Sequence, residues 1–224
     1  MHNESIVVGK HSEAIDIKKI LYSVIKRFFD ILIGLIGIIF LIPLAFIIKA
    51  VSIINRDYNS IFFSQERIGK DGKLFTLYKF RTMVPDADNI LYQLMQSDEE
   101  FKKEYTLTKK SKNDPRITKI GKVLRKTSLD EFPQFINVFL GQMSLIGNRP
   151  YLPREKEDMG IYYKDIITTK PGITGLWQTS GRSNTTFEER LQLEKKYSLV
   201  NSMKIDVKIF FKTIIQVLKR EGAN

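Results

Sequence analysis

The sequence predicts a mainly α-helical chain with one small β-hairpin, an α+β fold held at a membrane. Three observations predict it. An uncharged apolar run, Ile31–Ile48, lies in the N-terminal quarter. Two apolar-aromatic runs flank the turn-rich segment Gly69-Lys70-Asp71-Gly72. Beyond Pro133, apolar residues recur at helical spacing. The 224 residues are 43% hydrophobic and 27% charged, which allows a packed core and excludes a disordered polymer.

Residues 1–20 read as a polar leader, 21–58 as a membrane helix with its flanks, and 59–224 as the globular body. The apolar run has 18 residues. As a straight helix it measures about 27 Å, at the short edge for a bilayer span. Pro43 interrupts it. Basic residues flank both ends, Lys18, Lys19, Lys26 and Arg27 before it and Lys49, Arg56, Arg67 and Lys70 after it. Positive flanks favour the cytoplasmic side, and here both ask for the same side. A re-entrant hairpin bent at Ile42-Pro43 satisfies both; a kinked single span and a buried soluble helix stay open.

Residues 61–83 predict the hairpin, and 85–105 a helix with Asp86 as N-cap. A basic connector, Lys109 to Lys126, follows and faces either a membrane or water. Phe132, Phe135, Ile136, Phe139, Leu140 and Met143 form the apolar stripe of a further helix. Loops rich in Gly, Pro, Ser and Thr cover 144–159 and 170–190. The last stretch, from Leu191, alternates Lys with apolar residues. It reads as an amphipathic helix on an anionic surface or as a core helix with a solvated lysine face.

The formal net charge of +11 implies an anionic partner: nucleic acid, a membrane surface or a phosphorylated substrate. With no cysteine, and with His2 and His11 both in the leader, thiolate chemistry and a histidine-based site in the body are excluded. Acid–base work falls to Asp, Glu, Lys or Tyr.

Asp130 and Glu131 stand out in "TSLDEFPQF". In isolation Ser128-Leu129-Asp130-Glu131 is a capping box, with both acids complementing a helix dipole. The neighbourhood argues for more. Arg125 and Lys126 precede the pair, and Arg149 and Arg182 sit in glycine-containing loops. Guanidinium groups fork onto phosphate oxygens. Carboxylates beside phosphate-binding groups repel the substrate unless a divalent cation bridges them, and Mg²⁺ takes one or two carboxylates plus substrate phosphates. The constellation points to Mg²⁺-dependent phosphoryl chemistry at a membrane, one carboxylate a nucleophile and the other a base.

From about Lys26 onward the chain resembles the monotopic polyprenyl-phosphate phosphoglycosyl transferases, a bacterial sugar transferase family of exopolysaccharide, capsule and glycoprotein glycan assembly. The resemblance rests on "KRFFDI", Pro43, "FFSQERIGKDGKLFTLYKFRTM", "RKTSLDEFPQFINVFLGQMSLIGNRP" and "KPGITGLWQTSGRS". It implies a re-entrant anchor and a site on the cytoplasmic face of the cell membrane. It implies that a UDP-sugar gives its sugar-1-phosphate to undecaprenyl phosphate and releases UMP, with UDP-glucose or UDP-galactose as donor. It makes Asp130 the nucleophile and Mg²⁺ ligand, Glu131 the partner acid for the lipid phosphate, and Arg125 and Arg149 phosphate-binding arginines. Two departures stand out. The family usually has Gly-Pro-Arg-Pro where this chain has Gly147-Asn148-Arg149-Pro150, so a less rigid loop is expected. Many large members carry extra N-terminal spans, so a small, minimal member is expected.

Lys79 and Arg81 share one strand face and could bind phosphate, with Lys79 alternatively pairing with Asp130. Gln178 and Arg182 could read the uridine or the diphosphate. Trp177, the single tryptophan, is open between membrane interface, base stacking and core. Glu66 and Arg67 read as structural. The expected partners are the UDP-sugar, undecaprenyl phosphate and membrane lipids, with no nucleic acid; the oligomeric state is open, a homodimer included. The competing functions are a basic membrane adaptor or nucleic-acid binder, which has no use for the apolar run, and a polytopic transferase, which needs more spans.

Overall fold

The computed structural model describes residues 17–108, 114–180 and 185–219. Helix α1 covers Ile17–Ile54 and holds Pro43 inside it. The proline thus lies within continuous helix and does not divide two separate helices. One face of α1 is buried through Asp30, Gly34, Gly37, Leu41, Ile48 and Ser52, at helical spacing. The opposite face leaves Phe28, Leu32, Leu35, Ile39, Phe40 and Phe46 exposed. The 38-residue helix thus has one buried stripe and an exposed apolar remainder, and it is long and apolar enough to cross a membrane.

Polar contacts fix α1 to the body. Arg27 donates to the carbonyls of Val138 and Phe139, both at 2.8 Å. The buried Asp30 accepts from the Ser144 hydroxyl at 3.0 Å and the Leu145 N–H at 2.9 Å. Tyr22 and Lys26 both reach Asp206. Gly37 permits close approach: a Cβ there would lie 2.2 Å from the Phe135 ring. Beyond Pro43, Ile48 joins Ile61, Phe80 and Leu124 in one apolar cluster.

The expected hairpin forms from β1, Phe62–Ile68, and β2, Leu74–Phe80, with Phe62 opposite Phe80 and Ile68 opposite Leu74. Asp71 and Gly72, at φ 57° and 78°, make its turn. Phe75 and Leu77 pack on Val138 and Met143. Lys79 continues their parity and faces the same layer.

The helix expected over 85–105 is two helices, α2 (Ala87–Ser97) and α3 (Glu99–Thr108). Asp98 breaks them at φ −125°, ψ 99° and caps α3 by accepting the Phe101 N–H at 2.9 Å. Asp86 precedes α2 without a side-chain cap. The part of the basic connector at 109–113 lies outside the described residues; the remainder holds the buried pair Asp114–Arg116 and helix α4, Lys119–Thr127.

The apolar stripe after Pro133 forms only a short helix, α5 (Gln134–Phe139). Phe132 ends a 3₁₀ turn before it, and Gly141, at φ 82°, stops the chain from continuing to Met143. The loops expected next contain two short strands, β3 (Ser144–Ile146) and β4 (Gly172–Thr174), paired in parallel, and a short helix between them, α6 (Tyr163–Ile166). Three-residue strands leave little alternation to read. The terminal amphipathic stretch is two helices, α7 (Phe187–Val200) and α8 (Met203–Lys219). Thr186 and Glu189 form a capping box that opens α7. Ile209 of α8 is buried, whereas Val207, Phe210, Phe211, Ile214 and Ile215 are exposed. The core-packing reading therefore holds for one side of α8, and its other side carries an exposed apolar surface.

Candidate active site

The acid pair sits on a 3₁₀ turn, Leu129–Glu131, between α4 and α5. Helix α4 starts at Thr118, whose hydroxyl accepts the Gly121 N–H at 2.9 Å. It ends at Ser128, in the left-handed region at φ 57°. Ser128 is thus the C-terminal cap of α4, its N–H bonded back to Arg125, and makes no side-chain cap to the following turn. The capping-box reading of Ser128 and Glu131 is corrected accordingly: both acids are free for other work.

Glu131 is engaged by Lys79, Nζ to Oε1 at 2.8 Å. Burial works against its charge, but Lys79, Arg149 and Gln134 outweigh burial and hold it below the usual glutamate range. Lys79 pairs with Glu131 and not with Asp130. Burial pushes Asp130 up to about 6; Lys79 and Arg125 pull it back and the neighbouring Glu131 adds to the rise. Two adjacent carboxylates thus differ in environment, one in an ion pair and one destabilised as an anion. Separated pKa values of this kind mark a division of labour.

Arg125 projects from α4 toward this turn. Its Nε donates to the Thr82 hydroxyl at 3.0 Å, and burial lowers its pKa against the pull of Asp130. Gly121, one turn earlier, makes this possible. A Cβ there would stand 2.0 Å from the Thr82 carbonyl oxygen, so any other residue would push α4 and Arg125 away.

Arg149 follows β3 in the Gly147-Asn148-Arg149-Pro150 loop. Its backbone N–H donates to the buried Glu194 of α7 at 3.1 Å, and its guanidinium lies 5.9 Å from the Trp177 ring centroid. Its charge is felt at Glu131. The loop is not slack. The buried Asn148 amide nitrogen lies 2.6 Å from Ser198 Oγ and 3.1 Å from the Ile166 carbonyl and Thr169 Oγ1, three acceptors sharing its two hydrogens. Side-chain hydrogen bonds supply here the rigidity that a proline ring gives elsewhere.

Two sequence-predicted residues are not at the pair. Arg81 is spent on structure, binding Asp57 at 2.6 Å and the carbonyls of Ser60 and Met83. Its position just past β2 turns it onto the loop after α1. Gln178 folds back against Gly175, beside Trp177, and so borders the Arg149 loop. Arg182 lies outside the described residues. Trp177 is buried, with its indole N–H on Thr185 at 2.7 Å, which settles it as a core platform.

Sequence reasoning missed Arg190 and Glu194 here. Arg67, read as structural, does hold the Pro150 carbonyl at 3.0 Å, and its charge also bears on Arg149 and Glu131. Arg190 lies 4.1 Å over the Trp177 ring. Glu194 is fully buried and pushed up to about 8 by that burial. A signal for Glu194 existed: it shares the buried stripe of Leu191 and Tyr197, where an acid is out of place.

The family model for bacterial sugar transferases matches residues 21–220. The chain belongs to the bacterial sugar transferase family. Among its relatives, a UDP-galactose-lipid carrier transferase of Erwinia amylovora is 42% identical over 89% of this chain. An undecaprenyl-phosphate galactose phosphotransferase of Salmonella typhimurium is 41% identical, again over 89%. Both alignments cover 41% of the relative, so this chain spans under half the length of those two proteins. An exopolysaccharide production protein ExoY of Sinorhizobium fredii is 38% identical over 88% of this chain and 87% of its own length. The acid pair, Lys79, Arg125 and Arg149 all fall inside the segment that defines this sugar transferase family.

Proposed function

We propose that this sugar transferase moves a sugar-1-phosphate from a UDP-sugar to undecaprenyl phosphate, as the first membrane step of exopolysaccharide or capsule assembly. The names of the relatives favour galactose or glucose as the sugar. The observation that carries the reading is the unequal state of the two acids. Glu131 is held charged on Lys79, and Asp130 has no ion-pair partner among the described residues.

In the first step an Asp130 carboxylate oxygen attacks the sugar-linked phosphorus of the donor. The bond from that phosphorus to the bridging oxygen breaks, and UMP leaves with the electron pair. In the second step a phosphate oxygen of the lipid attacks the same phosphorus, and Asp130 leaves as carboxylate. Glu131 accepts the proton when the lipid phosphate arrives protonated. Arg125 and Arg149 balance the charge of the phosphoryl oxygens, which is most of what such a reaction demands. An acid destabilised as an anion is well suited to be consumed as an acyl phosphate and then restored.

The donor set also fits Mg²⁺. Among the described residues no three acidic or histidine side chains converge, so a protein-only cage is not formed. Asp130 offers a carboxylate with no ion-pair partner among the described residues, and substrate oxygens would complete the shell. Bound there, the ion would neutralise phosphoryl charge.

The reading places the site at the cytoplasmic face. Residues on both sides of Pro43 pack against the same body, Gly34 and Gly37 on α5 and Ile48 on the Phe80–Leu124 cluster. This supports an anchor that does not leave the body to cross to the far leaflet. The exposed apolar faces of α1 and α8 supply the lipid contact.

The test is incubation of the full chain with Mg²⁺, undecaprenyl phosphate and a panel of UDP-sugars. UMP release with UDP-galactose or UDP-glucose, dependent on the lipid for continued turnover, is the expected result. A folded protein that releases UMP from no donor would end this reading.

A further inference from the structure

Beside the acid pair lies a cationic group of which the proposed mechanism uses only Arg149. Arg190, in the first turn of α7, places its guanidinium 4.1 Å from the Trp177 centroid, and Arg149 lies 5.9 Å from the same centroid. Arg67, from β1, holds the carbonyl of Pro150, the residue next to Arg149. Three arginines from three separate elements therefore gather at one short loop. Burial lowers the pKa of both Arg67 and Arg190, and the like charge of Arg149 adds to it.

Among the described residues no acid forms an ion pair with the group, although Glu194 lies near enough to act on Arg149 and Arg190. Glu131 is taken by Lys79, and Glu194 accepts the Arg149 backbone N–H. The Nε atoms of Arg67, Arg149 and Arg190 are all buried, and none has a hydrogen-bond acceptor among the described residues. Buried donors without acceptors are unfavourable, and protein interiors avoid them unless a function requires them. Arg67 already spends its terminal nitrogens on the Pro150 carbonyl and on Gln65, so it offers only its Nε, beside the guanidinium donors of Arg149 and Arg190; such converging donors suit a tetrahedral oxyanion. The indole of Trp177 lies within cation–π distance of two of the guanidinium groups, Arg190 and Arg149.

We propose that Arg190, with Arg149 and Arg67, forms a phosphate-binding cradle backed by Trp177, and that Arg190 is a substrate-binding residue of this enzyme. The inference rests on the phosphotransferase reading for the identity of its ligand, a phosphate ester. Two sources offer that chemistry: the nucleotide phosphate of the donor and the phosphate of the lipid acceptor.

Trp177 is the single tryptophan of the chain and reports on the cradle directly. Its fluorescence is followed while the full chain is titrated with UMP, with inorganic phosphate, or with vesicles with and without undecaprenyl phosphate. Equilibrium dialysis with radiolabelled UMP and phosphate runs in parallel. Saturable binding that perturbs Trp177 is expected. A response to UMP assigns the cradle to the donor, and a response only to lipid-phosphate vesicles assigns it to the acceptor. Arg190→Gln should weaken that binding at least about tenfold. Arg190→Lys should fall between, since an ammonium keeps the charge and loses the fork. Far-UV circular dichroism checks that both variants fold, and the native titration needs no variant. Absence of binding to any probe, or native affinity in Arg190→Gln, overturns the proposal. Binding at Trp177 without UMP release from any UDP-sugar would instead overturn the transferase reading and leave the cradle standing. Native turnover with native UMP affinity in Arg190→Gln would do the reverse.

Discussion

Helix α4 has an acidic segment on either side of it, and the two are built to opposite ends. Before it, Asp114 and Arg116 form a closed pair, with bonds at 2.9 and 2.7 Å and side chains only 4% and 5% exposed. The Arg116 carbonyl also receives the Val84 N–H, so the pair locks the chain beside β2. After α4, Asp130 and Glu131 share a short turn with Lys79, yet only Glu131 is paired. Both segments read alike in sequence, as acids among basic residues. A closed pair contributes order, and an open one contributes reactivity held in place by its surroundings.

The comparison can be pressed from both sides. Asp114→Ala should leave a buried, unpaired guanidinium and cost about 3–5 kcal/mol of stability, read by denaturant unfolding. The folded fraction should keep near-native activity per molecule. A large loss of turnover without loss of stability would mean that the first segment is not merely structural. Glu131→Gln should slow transfer to the lipid about 10²-fold and leave formation of the labelled enzyme less affected. Equal loss in both half-reactions would contradict the division of labour between the acids.

The two segments should also titrate oppositely. Arg116 holds Asp114 below the usual range in spite of burial, so its stabilisation is present above about pH 4 and is lost as pH falls through the folded value. Asp130 is raised to about 6, so the folded state binds its proton more tightly than the unfolded state does. Its effect is a loss of stability as pH rises from about 4 to 6. Asp130→Asn should therefore stabilise the magnesium-free protein at pH 7, by about 1–2 kcal/mol, and flatten that decline. A destabilised variant would remove the idea that the open acid carries an energetic cost. The smallest effect concerns the loop. Asn148→Ala should raise KM for the donor about tenfold by loosening Arg149, with the enzyme still able to label, and Asn148→Pro should recover much of it. An unchanged KM in Asn148→Ala would show that the Asn148 bonds do not position Arg149.

Much of this molecule was legible in the sequence where one local pattern decides one element. The hairpin follows from two alternating runs about a Gly-containing turn, and the apolar face of α1 from an uncharged run. The acid pair and the basic residues Lys79, Arg125 and Arg149 were legible because their chemistry is distinctive. What was not legible depends on tertiary packing. Ser128 satisfies a capping motif by composition but adopts a left-handed conformation that closes the preceding helix. Asp98 divides a helix whose apolar pattern runs on through it. The strands β3 and β4 are three residues each and exist because they pair with one another. Arg81 shares strand parity with Lys79, yet Asp57 captures it from a distant loop. Arg190 and Glu194 gain meaning only when α7 is laid against Trp177 and Arg149.

The most direct test of the account is labelling with a UDP-sugar that carries radioactive phosphorus at the sugar-linked position, without lipid acceptor. Native protein and Glu131→Gln should retain label after denaturation and lose it when undecaprenyl phosphate is added first. Asp130→Asn should retain none, a loss of at least about 10³-fold. Label held by Asp130→Asn at the native level would contradict the assignment of the unpaired acid as the group that carries the sugar phosphate.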